Sequence, residues 1–359
     1  MKAGILTWHD VLNYGSAFQA YALQEVLKEN GADAEILSHD RKLPDYYSNK
    51  LPIKSIKGVL CWLRNQTPAR VKYRKETKTK SESFIKFQSE YLNVKNHYSN
   101  TDADVVYIGS DQIFDINGLY YPFQFGGDIS CDKINTYAPS FGETTYEKLE
   151  QSPYFAEISE NIKKLNVVNA RDENTKNILE KILKRDIDIV LDPTLLYSFE
   201  KEKAMWNKRL VKEKYCLIYS WGGLTVTPEF AECCKKFAKQ NNLKLVSVGE
   251  RRPWCDIQFA SASPIEFFEL FMHADMVLTN MFHGTCFSIL MGRPFYSFVM
   301  PHNENKLGGL LKFLGLESQI VKGCENLKME IPNIDYAVVN PTLQEKREIS
   351  KANLIIGLN

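Results

Sequence analysis

Residues 3–37 read AGILTWHDVLNYGSAFQAYALQEVLKENGADAEIL. The run 3–8 is mainly apolar, 9–15 is polar and flexible, and from 16 to 29 Phe18, Tyr21, Ala22, Leu23, Val26 and Leu27 recur at helical spacing. Gly31 ends this helix, and 34–37 is apolar again. A strand, a helix and a second strand in succession open an α/β sheet with right-handed crossovers.

Working outward, the alternation continues. Apolar runs at Val105–Ile108, 134–138, 167–170 and 187–191, with a helical segment at Glu173–Leu183, predict further parallel strands of the same sheet. The pattern restarts at Tyr215–Tyr219. It proceeds through a helix at Pro228–Gln240, a strand at 243–248, a helix at Pro264–Met272, a strand at Met276–Thr279, a helix after Gly284 and a strand near 295–299. Between the two series, 193–214 loses apolar periodicity and gathers charge, which predicts an interdomain linker. The expectation is an α/β protein of two facing Rossmann-like domains, 1–198 and 215–335, with a helical segment at 336–359.

The bulk properties agree with two ordinary domains. The chain has 359 residues, 44% hydrophobic and 25% charged, enough apolar material for two cores and too much for disorder. Its 45 Lys and Arg against 44 Asp and Glu leave a net charge of +1, which argues against a nucleic-acid partner. The eight cysteines form no CxxC pair and read as a reduced structural set. No stretch is long and apolar enough to span a bilayer and the first apolar run is too short for a signal peptide, so the expected location is cytoplasmic.

One segment is unlike the average. Residues 50–80 hold ten Lys and Arg against the single acid Glu76, in a helical insertion of the first domain. Leu51, Ile53, Ile56, Val59, Leu60, Trp62 and Leu63, interleaved with Lys54 and Lys57, fit an amphipathic helix on an anionic membrane face or a solvated helix packed on its own domain.

Three junctions carry polar chemistry. Asn13-Tyr14-Gly15-Ser16 follows the first strand, at the carboxyl edge where open α/β sheets bind ligands; the alternative is an ordinary turn capped by Ser16. Gly109-Ser110-Asp111-Gln112 holds the same position after Val105–Ile108, so Asp111 is either a proton acceptor or a cap. Thr279-Asn280-Met281-Phe282-His283-Gly284-Thr285 ends a strand in polar residues and opens a helix. Free amides there attract anions, and a His beside them suits proton donation as well as a structural role. Cys286 lies close by, but no further His or Cys completes a metal set.

Together with Ala17-Phe18-Gln19-Ala20-Tyr21-Ala22-Leu23-Gln24 and Asp192-Pro193-Thr194, these strings resemble the polysaccharide pyruvyl transferase family over about residues 3–320. The resemblance implies a fold similar to the two-domain glycosyltransferase B architecture. It also implies transfer of pyruvate from phosphoenolpyruvate, as co-substrate and with no other cofactor, onto two hydroxyls of a sugar in a surface polysaccharide or a lipid-linked precursor. By that resemblance His283 is the acid near the donor and Asp111 the base. Asn280, Gly284 and Thr285 lie on the donor side, and Asn13, Tyr14, Gly15, Ser16, Gln19, Ser110 and Gln112 on the acceptor side. Family members often carry an Arg two residues before the His, where this chain has Met281. Arg171, Arg251, Arg252 and Lys306 are the candidate replacements, Lys306 foremost because it opens the helical run 307–314. A nucleotide-sugar glycosyltransferase and a non-catalytic glycan-binding protein are the competing readings, since a fold alone does not fix a donor.

Overall fold

The computed structural model describes residues 1–39, 68–117 and 120–358. Within them two parallel sheets form. The first comprises β1 (Lys2–Leu6), β2 (Asp33–Ser38), β3 (Val94–His97), β4 (Val105–Ile108) and β5 (Ile134–Thr136), in the order β3-β2-β1-β4-β5. The second comprises β6 (Tyr215–Tyr219), β7 (Lys244–Val248), β8 (Ile257–Phe259), β9 (Met276–Thr279), β10 (Phe295–Phe298) and β11 (Ile320–Val321), in the order β11-β10-β9-β6-β7-β8. Strand order reverses between β1 and β4 in one sheet and between β6 and β9 in the other. Such switch points are where open α/β sheets leave a crevice, and here the loops after all four strands line one cleft, through Asn13, Asp111, Trp221 and Asn280.

The Tyr14–Glu29 helix joins the halves. Asn13 caps it by accepting the Ser16 amide, and nearly every side chain as far as Leu27 is buried. Tyr14 stacks on Phe267 of the second domain with ring centres 4.3 Å apart and donates its hydroxyl to the Ala262 carbonyl at 2.8 Å. Phe18 packs against Phe267, Phe268 and Phe287. One hydrophobic core therefore runs from Ile5 and Val105 through this helix to Val246 and Val277.

Two expectations need correction. Residues 193–214 are not a free linker: they form helices at Pro193–Leu196 and Glu200–Met205 and bury Leu195, Phe199, Trp206 and Val211 in the shared core. Their apolar residues are spaced too irregularly for either period to register. Residues 167–170 and 187–191 form no strands, only an Ala170–Ile189 bridge. Along 167–170 side chains interrupt the backbone ladder with the 134–138 segment: Asn135 accepts the Val167 amide, Thr136 the Asn169 amide, and Asn169 the Ala138 amide, while backbone bonds remain at Thr136–Val167 and between Ala170 and 188–190. The basic insertion is described from Pro68 onward.

Its amphipathic stretch, 51–63, lies outside the described residues. The Pro68–Tyr91 helix that follows is docked across the domains: Glu76 pairs with Arg251, and Lys80 donates to the Gly249 carbonyl at 3.1 Å with its ammonium over the Tyr14 ring. At the other end of the chain, the Tyr336–Ile356 helix returns to the first domain. Leu354 O accepts from the Tyr107 hydroxyl, and the Ser350 hydroxyl accepts the Leu191 amide. Among the described residues no helix is long and apolar enough to cross a membrane.

Candidate active site

His283 is the second residue of the Phe282–Leu290 helix that follows β9. Its Nε2 stands 3.5 Å from Asp192 Oδ2, with both side chains nearly inaccessible. On the Nδ1 side the ring lies against Gly15, where a β-carbon would sit 1.9 Å from Nδ1. The imidazole of one domain is thus seated on the first helix of the other.

Asp192 is the centre of the buried charge. It caps the Pro193–Leu196 helix by accepting from Thr194, receives the Ser110 hydroxyl at 3.1 Å and pairs with Arg171 at 2.9 Å. Arg171 also reaches Asp111 at 3.3 Å and lays its guanidinium over the Phe282 ring. Burial alone would raise the Asp192 pKa, but His283 and Arg171 hold it far below the usual carboxylate range. Asp111 behaves alike: burial raises its pKa, and Arg171 and His283 more than reverse that.

Asp111 receives the Ser16 hydroxyl at 2.9 Å and is held at φ +66°, a left-handed backbone uncommon outside glycine. Ser140 fixes that conformation by donating its amide to the Asp111 carbonyl. Residues in such regions persist where their surroundings over-determine them, often at functional sites.

Around this cluster opens a cleft of about 410 Å³, within the range of small-molecule sites. Asn13, Asp111, Gln112, Asn280 and His283 line it, with Arg171 and Lys306. Lys306 sits in the Glu304–Gly308 turn, and its pKa is lowered by burial and then by the nearby Arg171 charge. The two cations share that space with Asp111 and Glu143, which act on Lys306 in the opposite direction, and an anion bound between the cations would favour the charged ammonium further.

Several anticipated residues have other work. Tyr14 is core, as described. Gln19 is fully buried, donating to Thr7 and accepting the Ser110 amide, and Ser110 is committed to Asp192 and Ala138. Gly15 seats His283, and Ser16 orients Asp111. Thr285 is buried, with its amide on Met281 and its hydroxyl on Ser297, so it offers an anion nothing. Gly284 lets the helix approach β9, since a β-carbon there would lie 2.2 Å from Thr279 Oγ1. Arg251 is paired with Glu76, and Arg252 donates to Ser220 and pairs with Glu250; neither lines the cleft. Asn280 spends both ends of its amide on the Trp221 backbone. Asp192 is the functional residue that sequence reasoning left without a role; its signal was an Asp-Pro-Thr string, also an ordinary helix start. Trp221, Glu143 and Asn303, which line the cleft as well, carried none.

Two parallel sheets meeting at their switch points, with a charged cleft between, define a protein of glycosyltransferase B architecture. A UDP-forming trehalose-phosphate synthase from Burkholderia xenovorans is similar in structure at TM-score 0.50 and 10% identity, covering 100% of this chain and 99% of that one. A UDP-GlcNAc 2-epimerase from Methanocaldococcus jannaschii, solved with UDP-GlcNAc and UDP, is similar at TM-score 0.49 and 14% identity, covering 100% and 99%. No curated protein matches the sequence. The model of the polysaccharide pyruvyl transferase family matches residues 13–301, and the chain belongs to that family. It is an enzyme of this transferase type, acting in polysaccharide biosynthesis on a sugar acceptor.

Proposed function

We propose that the chain moves the pyruvyl group of phosphoenolpyruvate onto two hydroxyls of one sugar residue in a surface polysaccharide or its precursor, forming a pyruvate ketal. The observation that carries this reading is that His283 and Asp111 share one cleft with Arg171 and Lys306. The donor brings a carboxylate and a phosphate, and the two cations answer them, Lys306 standing in for the Arg that Met281 displaces. Asn13 and Gln112 line the same cleft and are the groups we assign to the sugar hydroxyls.

His283 delivers a proton to the methylene carbon of the enol, making its neighbour electrophilic. One sugar hydroxyl adds there, the bond from that carbon to the phosphate oxygen breaks, and the second hydroxyl closes the ring. One hydroxyl proton restores the imidazole and the other leaves with phosphate, so donor and diol become ketal and inorganic phosphate. Asp111, kept ionised by Arg171 and His283, is a weak base that orients the attacking hydroxyl by accepting its hydrogen bond.

Phosphate release from phosphoenolpyruvate, with a panel of methyl hexopyranosides as acceptors, tests the reading. His283→Ala is expected to slow release roughly 10²–10⁴-fold and to keep the thermal stabilisation that phosphoenolpyruvate gives. Undiminished turnover in the variant overturns the acid role. Stabilisation of the wild type by UDP-sugars and not by phosphoenolpyruvate overturns the donor.

A further inference from the structure

Trp221 is 65% exposed, the largest side chain among the exposed hydrophobic residues described, and it stands at the edge of the active cleft. Its backbone is unusually well fixed for so open a position. Asn280 accepts the Trp221 amide at 2.9 Å and donates to its carbonyl at 2.8 Å. Arg252, itself buried, donates to the preceding carbonyl of Ser220 at 2.9 Å. Asn303 in turn holds the Asn280 carbonyl. Gly222 and Gly223 then turn the chain away in left-handed conformations, with open space where a β-carbon would sit at either. A residue pinned on both sides and left bare at its side chain presents its indole to whatever enters the cleft.

The surroundings select the ligand class. Asn13, Gln112 and Glu143 line the same space, so hydrogen-bonding groups accompany one broad apolar plane. A pyranose ring matches that pairing, with hydroxyls around its rim and a face of C–H groups. Aromatic faces hold such rings by contact area and by attraction of polarised C–H bonds to the π cloud.

We propose that Trp221 is the stacking platform for the acceptor sugar, a specificity-determining residue, with Asn280 and Arg252 as its positioning residues. The proposal rests on the functional reading above for the identity of the ligand as acceptor. It explains why Asn280 and Arg252, both anticipated as donor ligands, are turned toward the 220–221 backbone.

Methyl hexopyranosides serve as the probe, with two readouts. Titration without donor should change the tryptophan fluorescence of the wild type and leave that of Trp221→Phe nearly unchanged. In turnover, Trp221→Ala should raise KM for the glycoside about tenfold with KM for phosphoenolpyruvate unaltered, and Trp221→Phe should restore it to within about threefold. Equal acceptor KM in wild type and Trp221→Ala, or no fluorescence response to any glycoside, overturns the platform. A fluorescence response without phosphate release from phosphoenolpyruvate leaves the platform standing and overturns the donor reading.

Discussion

His283 keeps its place because residue 15 has no side chain. The backbone of Gly15 is ordinary helix, so its small size matters only for the imidazole beside it. Gly15→Ala should be tolerated by the helix, which favours alanine by about 1 kcal/mol, and should push the ring off Asp192. A misplacement of about 1 Å at a reacting group costs on the order of 10²-fold. The expected outcome is a fall of that size in phosphate release, with circular dichroism close to wild type and a melting temperature lowered only by what the overpacking at the ring costs, about 1–3 kcal/mol. Retained activity would show that the ring need not sit against the first helix. This contact was hidden in the sequence, where residues 15 and 283 lie far apart; Asn13-Tyr14-Gly15-Ser16 could be read as a site, but not Gly15 as the seat of the histidine.

Among the elements, those bounded by strong local signals were readable to the residue. Glu173–Leu183, Pro228–Gln240 and Pro264–Met272 begin at Asp172, Thr227 and Ser263, each capping with its own side chain. Short strands such as Val94–His97 and Ile257–Phe259 escaped, because their side chains are largely polar or half-exposed and their pairing is set by the neighbouring strand. The Pro68–Tyr91 helix was legible as basic but not as a brace, since its docking depends on Gly249 and Arg251 of the other domain. Lys80 there gives a measurable handle. Burial pushes its pKa down to about 8 from 10.5, so between those values the unfolded chain binds more protons than the folded one. Stability attributable to Lys80 must therefore rise with pH across about 8–10.5, by roughly 3 kcal/mol in all. Urea unfolding of wild type and Lys80→Met across that range should show the difference between them growing in favour of wild type. A constant difference would mean that the ammonium is solvated.

Across the whole molecule, function follows from two sheets sharing one core. The doubling of the α/β plan could be read from the order of apolar runs, and with it the expectation that ligands bind between the halves. The closeness of the halves could not, because it is made by aromatic packing of the first helix on Phe267, Phe268 and Phe287, residues that read as the second domain's own interior. Arg171 and Asp192 follow the apolar runs 167–170 and 187–191, which read as strands, but the meeting of their two side chains across that short Ala170–Ile189 bridge is a tertiary contact that no periodicity marks. Tyr14 separates the two ways of reading its motif. As an acceptor ligand, its hydroxyl would meet the sugar, and Tyr14→Phe would raise the acceptor KM. As a joint between domains, its hydroxyl serves the Ala262 carbonyl inside the buried core. Losing that single hydrogen bond should lower stability by about 1 kcal/mol, with the ring still stacked on Phe267 and both KM values unchanged. Denaturant titration beside steady-state kinetics of the one variant distinguishes them, and a raised KM at unaltered stability would return Tyr14 to the binding surface.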